Sequence, residues 1–192
     1  MKKQLTATLI ALSFLLNVYS QNYSVDIPGA LSLYAAQEQT SWCWAACNQI
    51  LLNAAGIKES QSHQSVKVFG SVINKGAGSN YELARVGLSG TYTDASGNSV
   101  KIVPYISYLS QRNQNDPLVI IDQLNKGIPL VMATIQHGRV CIGVDYVKNG
   151  QYYQITQLRL LDPYQNSTAV VTYTMQQFLK EGLIGFMTYS KQ

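Results

Sequence analysis

Apolar positions change character along the chain. From Ala45 to Ala55 they are dense and alanine-rich, with Ile50, Leu51 and Leu52 in one run and Gly56 placed to stop it, which predicts a helix. A second helix is predicted from Asp116, a good N-cap, and Pro117, suited to the first helical position. Ile120, Ile121 and Leu124 form its apolar face and Gly127 ends it. Ile128 to Ala133 then runs apolar without a break, as a buried strand does, and further strands fit 140–148, 152–161, 167–174 and 183–189. Between the last two, Met175 to Lys180 reads as a short helix capped by Thr174 and ended by Gly182. Residues 21–34 read as extended chain. Residues 57–100 have no clean period; Gly70, Gly76, Gly78, Gly87, Gly90 and Gly97 punctuate them, and Asp94 to Asn98 reads as a turn. Specificity loops are expected in this middle region. Helices thus dominate the first half and antiparallel strands the second, an α+β pattern.

The first twenty residues are different again. Two lysines are followed by a short apolar stretch from Leu5 to Val18, then Tyr19-Ser20-Gln21. With small residues at the −3 and −1 sites (Val18 and Ser20), residues 1–20 read as a signal peptide cut after Ser20. The expected localisation is therefore secreted or periplasmic. The apolar stretch is too short, and too polar at Thr6, Thr8 and Ser13, for a stable membrane anchor. Residues 21–192 are then one domain, long enough to bury a core. Charged residues are only 12% of the chain, and there are 13 tyrosines. Such a polar, aromatic surface suits life outside the cytoplasm. The net charge is +4, two of it from Lys2 and Lys3, and no basic patch of the kind nucleic acid requires is present. A monomer is expected.

Candidate chemistry concentrates in Gln37-Glu38-Gln39-Thr40-Ser41-Trp42-Cys43-Trp44-Ala45-Ala46-Cys47. Cys43 heads the first predicted helix, where the helix end favours thiolate over thiol. Two tryptophans flank it, placed to exclude water and shape the rim of a cleft. Gln37, six residues earlier, is a candidate donor to an oxyanion; Gln39 is the weaker candidate. A thiol nucleophile needs a base, and the base an orienting group. Of two histidines, His137 opens a strand-like run to Tyr146 with Gly143 inside, whereas His63 sits in a polar stretch and is the runner-up. Asp162, at the end of the strand-like run from Tyr152 and followed by Pro163, is the orienting candidate; Asp145 is its runner-up.

Gln-x5-Cys-Trp, then a strand-start His, then a strand-end Asp-Pro resembles the papain-like cysteine peptidases, most closely their compact bacterial branch. The resemblance implies a papain-like fold: a helical lobe and an antiparallel, barrel-like lobe, with Cys43 facing His137 and Asp162 across a cleft. It also implies an oxyanion hole from Gln37 and the Cys43 N–H. Small apolar residues usually follow the histidine in that family. Gly138-Arg139 departs from this, and Arg139 either points out of the sheet or touches substrate.

The expected function is a secreted cysteine peptidase acting on a protein or peptide through a thioester, with no metal or organic cofactor. Cell-wall amide cleavage is disfavoured, because the Asp-Cys-Ser-Gly helix start of such hydrolases is absent. A catalytically silent papain-shaped binding or toxin module, and an amidase or acyl transferase using the same triad, remain as alternatives. The three cysteines lack paired zinc-ligand spacing. Their odd number argues for at least one free thiol, and a Cys47–Cys141 disulfide stays open.

Overall fold

In a computed structural model, which describes residues 21–78, 81–108, 116–164 and 170–192, eight strands form one antiparallel sheet with helices on both faces. The strands are β1 (Gln21–Asp26), β2 (Gly90–Thr93), β3 (Ser99–Tyr108), β4 (Leu130–Thr134), β5 (Gly138–Asn149), β6 (Tyr152–Leu161), β7 (Val170–Thr174) and β8 (Leu183–Lys191). The helices are α1 (Cys43–Ala54), α2 (Gln61–Phe69), α3 (Glu82–Leu88), α4 (Asp116–Asn125) and α5 (Met175–Lys180). The expected signal peptide, 1–20, lies outside the described residues. Among the described residues no helix is long and apolar enough to cross a membrane.

The sheet runs β2-β3-β8-β4-β5-β6-β7, and β1 also pairs with β5. β5 is the organising strand. Its first residues pair with β4 (Leu130↔Cys141 to Ala133↔Gly138), its later ones with β1, and β6 runs along its other edge. The apolar runs are continuous because the sheet is covered on both faces. Val131, Val140, Ile142 and Leu161 face α1, in one core with Trp44, Ile50 and Leu51. Their neighbours Met132, Cys141 and Leu160 face α4 and α5, in a second core with Leu124 and Phe178. The sheet does not close, so the expected barrel-like lobe is an open twisted sheet with helices on each side.

The predicted elements after residue 115 stand close to their expected bounds. β6 spans Tyr152–Leu161, and Thr174 caps α5 in a capping box with Gln177. The part of the expected 167–174 strand before Val170 lies outside the described residues. The middle region is more regular than expected: residues 57–100 contain α2, α3, β2 and the start of β3, with irregular chain at 71–78 that reaches the cleft. α2 was hidden because its inward face is polar, with Gln61, Gln64 and Ser65 all buried. β3 contains Pro104, which cannot donate to a ladder. It is tolerated because β2 pairs only with Ser99 to Ile102, which leaves one edge of β3 open at Pro104.

α2 bears on the site through Gln61. Its Nε2 donates to Ala36 O (2.7 Å) and to Gln49 Oε1 (2.9 Å), and its Oε1 accepts from Glu38 N–H (3.0 Å). One buried amide thereby grips the chain on both sides of Gln37. Gln61→Leu should lower unfolding free energy by about 1–3 kcal/mol, the range for leaving buried polar groups unpaired. Urea denaturation would measure it; an unchanged midpoint would show that these bonds are replaceable by water.

Candidate active site

Cys43 is the first residue of α1, where backbone N–H groups have no intrahelical partner. Trp42 and Trp44 do not form the rim of a cleft, as expected from sequence; both are buried in the core (2% and 0% exposed). Their indole N–H groups donate to Ile73 O (2.8 Å) and Lys75 O (3.0 Å). Asn74 bonds Ser41 N–H and the Thr40 hydroxyl. The tryptophans therefore fix the segment that leads into Gly76, Ala77 and Gly78, and these three residues line one side of the cleft.

His137 immediately precedes β5. Its N–H donates to the Thr134 hydroxyl (3.1 Å), and its carbonyl accepts from Thr134 N–H (2.8 Å), so a tight turn from β4 aims the imidazole. Asp162 follows the last residue of β6, which pairs with β5 at Val140↔Leu161. This register puts the start of one strand beside the end of the other. His137 Nε2 lies 2.7 Å from Asp162 Oδ1, which also accepts from Tyr164 N–H (2.9 Å). The Tyr164 ring stands edge-on to the imidazole. Gln37, Cys43, His137, Arg139 and Asp162 all line one cleft of about 580 Å³.

The charges reinforce one another. Burial opposes a charged His137, but hydrogen bonds to Asp162 and Cys43 and the charges of both outweigh it, and its pKa rises to about 9. Burial also pushes the Cys43 thiol up. The His137 hydrogen bond, the Gly138 N–H and the His137 charge together pull it below its ordinary value. Against the burial penalty, hydrogen bonds from His137 and Tyr164, the His137 charge and Arg139 hold Asp162 down at about 2. The pairing thus favours thiolate with imidazolium.

Arg139 resolves the alternative left by the sequence. It bonds Asp162 Oδ2 through Nε (2.8 Å) and Glu181 Oε2 through Nη1 (2.6 Å). Its guanidinium carbon lies 5.1 Å from the Tyr173 ring centroid and 5.8 Å from that of Phe178. It braces Asp162 from the α5 face. The runners-up lie apart: His63, on α2, pairs with Glu59 just before that helix, and Asp145 pairs with Arg159.

Gln37 is near but turned. Its N–H donates to Pro163 O (2.9 Å), which ties it to the Asp162 corner. Its side-chain Nε2 donates to Gln39 O (3.0 Å) and Thr40 O (3.1 Å), so both amide hydrogens are engaged. The sequence reading missed Tyr81, whose hydroxyl is 3.9 Å from Cys43 Sγ. No local motif around it signals this contact. All three cysteines are free; Cys47 and Cys141 lie in the two different cores, on opposite faces of the sheet. Among the described residues no group of His, Cys, Asp and Glu side chains could hold a metal ion.

The model of the family described as Peptidase_C39 like matches residues 32–187. Among solved structures, the peptidase domain of Streptococcus ComA, a bi-functional ABC transporter involved in a quorum sensing pathway, aligns over 82% of this chain and 96% of its own. The identity is 14% and the TM-score 0.45. No curated protein matches.

With only two histidines in the chain, the charge coupling is open to direct test. In an NMR titration the His137 imidazole should change state at about 9. Asp162→Asn removes the carboxylate that raises it and should bring the midpoint down towards the ordinary value near 6.5. A His137 midpoint unaffected by Asp162→Asn would mean that Asp162 does not govern the imidazole.

Proposed function

The chain belongs to the Peptidase_C39-like family of papain-like cysteine peptidases, and from that premise we propose that it hydrolyses peptide bonds with Cys43 as nucleophile, His137 as acid and base, and Asp162 as the orienting group. The observation that carries this reading is the alternating set Cys43, His137 and Asp162 in one cleft, with the thiol drawn down and the imidazole raised. The Cys43 thiolate attacks the scissile carbonyl carbon, and the electron pair of the C=O bond moves to oxygen. His137 gives its proton to the leaving amine as the C–N bond breaks, leaving a thioester on Sγ. Water then attacks the thioester, His137 takes its proton, and the carboxylic acid leaves as the thiolate re-forms. Asp162 holds the imidazole so that one nitrogen faces sulfur throughout. The Cys43 backbone N–H lies at the helix start, where a developing oxyanion is favoured. Export belongs to the same proposal: the released protein would begin at Gln21.

Incubation with a peptide mixture, followed by mass spectrometry, tests the reading. Cleavage should fall by about a thousandfold or more in Cys43→Ala and in His137→Ala. The pH profile of kcat/KM should be bell-shaped. Its acid limb marks formation of the thiolate–imidazolium pair. Its alkaline limb, near 9, marks loss of the imidazolium proton, because a raised histidine pKa keeps the charged form up to that pH. No Cys43-dependent cleavage of any peptide, in a folded protein, would sink the peptidase reading and leave the silent binding module.

A further inference from the structure

We propose that Tyr81 is an additional functional residue of this site: its phenolic O–H donates to the Cys43 thiolate and so helps keep the nucleophile ionised beside His137. This rests on the reading of Cys43 as the nucleophile.

Three observations carry it. First, Tyr81 has φ 59 and is the one non-glycine residue with positive φ among the described residues. A bulky aromatic in the left-handed region is a genuine outlier, and such strain persists where the surroundings hold it for a purpose. Second, Tyr81 is 4% exposed, and its hydroxyl, which a buried tyrosine needs to satisfy, points at Cys43 Sγ. Third, the residue after His137 is glycine. A Cβ at Gly138 would overlap the Tyr81 hydroxyl, so any larger residue there would displace the phenol from the sulfur. Gly138, a departure from the small apolar pattern expected after the histidine, is the complement of Tyr81.

The chemistry limits the role. Burial, together with the neighbouring Cys43 and Cys47 sulfurs, holds the phenol well above its ordinary pKa, so Tyr81 stays protonated and acts as a donor, never as a base. It adds no charge, so it stabilises sulfur without competing with the His137 charge. Because the Gln37 amide hydrogens point to backbone carbonyls, the groups facing sulfur are His137, the Gly138 N–H and Tyr81. A phenylalanine would fill the same space and leave the thiolate with one donor fewer, which separates this role from mere packing.

The test is the rate of Cys43 alkylation by iodoacetamide as a function of pH, with Cys43→Ser as the blank. Cys47 and Cys141 are buried with raised pKa values and should stay silent. Tyr81→Phe should move the alkylation midpoint up by about one pH unit, about tenfold less thiolate on the acid side, with the melting temperature little changed. Gly138→Ala, which forces the hydroxyl away, should move it in the same direction; Tyr81→Leu, apolar and without the hydroxyl, decides the matter if Tyr81→Phe does not fold. An unchanged midpoint in the folded variant overturns the proposal. A wild-type midpoint at the ordinary cysteine value of about 8.5 overturns both this and the nucleophile reading. A low wild-type midpoint that Tyr81→Phe raises, in a protein that cleaves no peptide, sinks the peptidase reading alone.

Discussion

The site depends on how closely the first two turns of α1 approach the sheet. Ala45, Ala46 and Cys47 are fully buried there, and their small side chains let the helix axis come near β4 and β5. Larger residues further along, Ile50, Leu51 and Leu52, are also fully buried and hold the helix down, each worth about 1.5–3 kcal/mol of transfer free energy. Cys43 has no freedom to move away from the cleft once this face is seated. The same packing fixes Trp42 and Trp44, and through their indole N–H groups the chain at Ile73 to Lys75. One hydrophobic contact therefore sets both the candidate nucleophile and one wall of the cleft. The register between β5 and β6 sets the other side, by bringing His137 and Asp162 to one edge.

Between these two sides lies a chain of alternating charge: Cys43 thiolate, His137 imidazolium, Asp162, Arg139 and Glu181. Taking ions out of water is unfavourable unless each is paired and hydrogen-bonded. Here each inner member has an opposite charge on both sides, and the outer end at Glu181 is partly solvated. Arg139 acts on the proposed triad through Asp162. It occupies the Asp162 oxygen that His137 does not use, so the carboxylate cannot rotate without breaking a second ion pair. The aromatic faces of Tyr173 and Phe178 keep the guanidinium flat against the α5 side of the sheet.

Much of this was legible in the sequence because it rests on local rules. Helix stops, the Asp116-Pro117 start, the Thr174 cap and the apolar strands after residue 128 are set by neighbours in sequence. Gln37, Cys43, His137 and Asp162 fell into one cleft because the spacing of strand starts and ends carries through to the register. The rest was hidden by tertiary effects. α2 shows no apolar stripe because Gln61, Gln64 and Ser65 face inward; the glutamines donate to the Ala36 and Ala45 carbonyls some twenty residues away, and Ser65 bonds the backbone of Ser71 and Ile73. Pro104 masks a strand whose open edge is visible only once β2 is placed. Trp42 and Trp44 were read as a rim, but their partners at Ile73 and Lys75 draw them into the core. Tyr81 is reached through a loop and a strained backbone, and no periodicity encodes either. Arg139 looked like an exception to a pattern until Glu181 supplied its second partner.

If Gln37 serves as the second oxyanion donor in the proposed reaction, the arrangement seen is its resting one. Its two amide hydrogens serve Gln39 O and Thr40 O, both neutral acceptors, while its Oε1 is buried without a partner. A tetrahedral oxyanion is a charged acceptor, and hydrogen bonds to charged groups are roughly twice as strong as neutral ones. Swinging one N–H from a carbonyl to the oxyanion is therefore favourable only once charge has developed. In the ground state the carbonyls hold the amide, so substrate binding gains nothing from it. An interaction made in the transition state and withheld from the ground state lowers the barrier rather than deepening the well before it. Gln61, by fixing the chain at Ala36 and Glu38, would confine such an exchange to the Gln37 side chain, whose backbone is tied to Pro163.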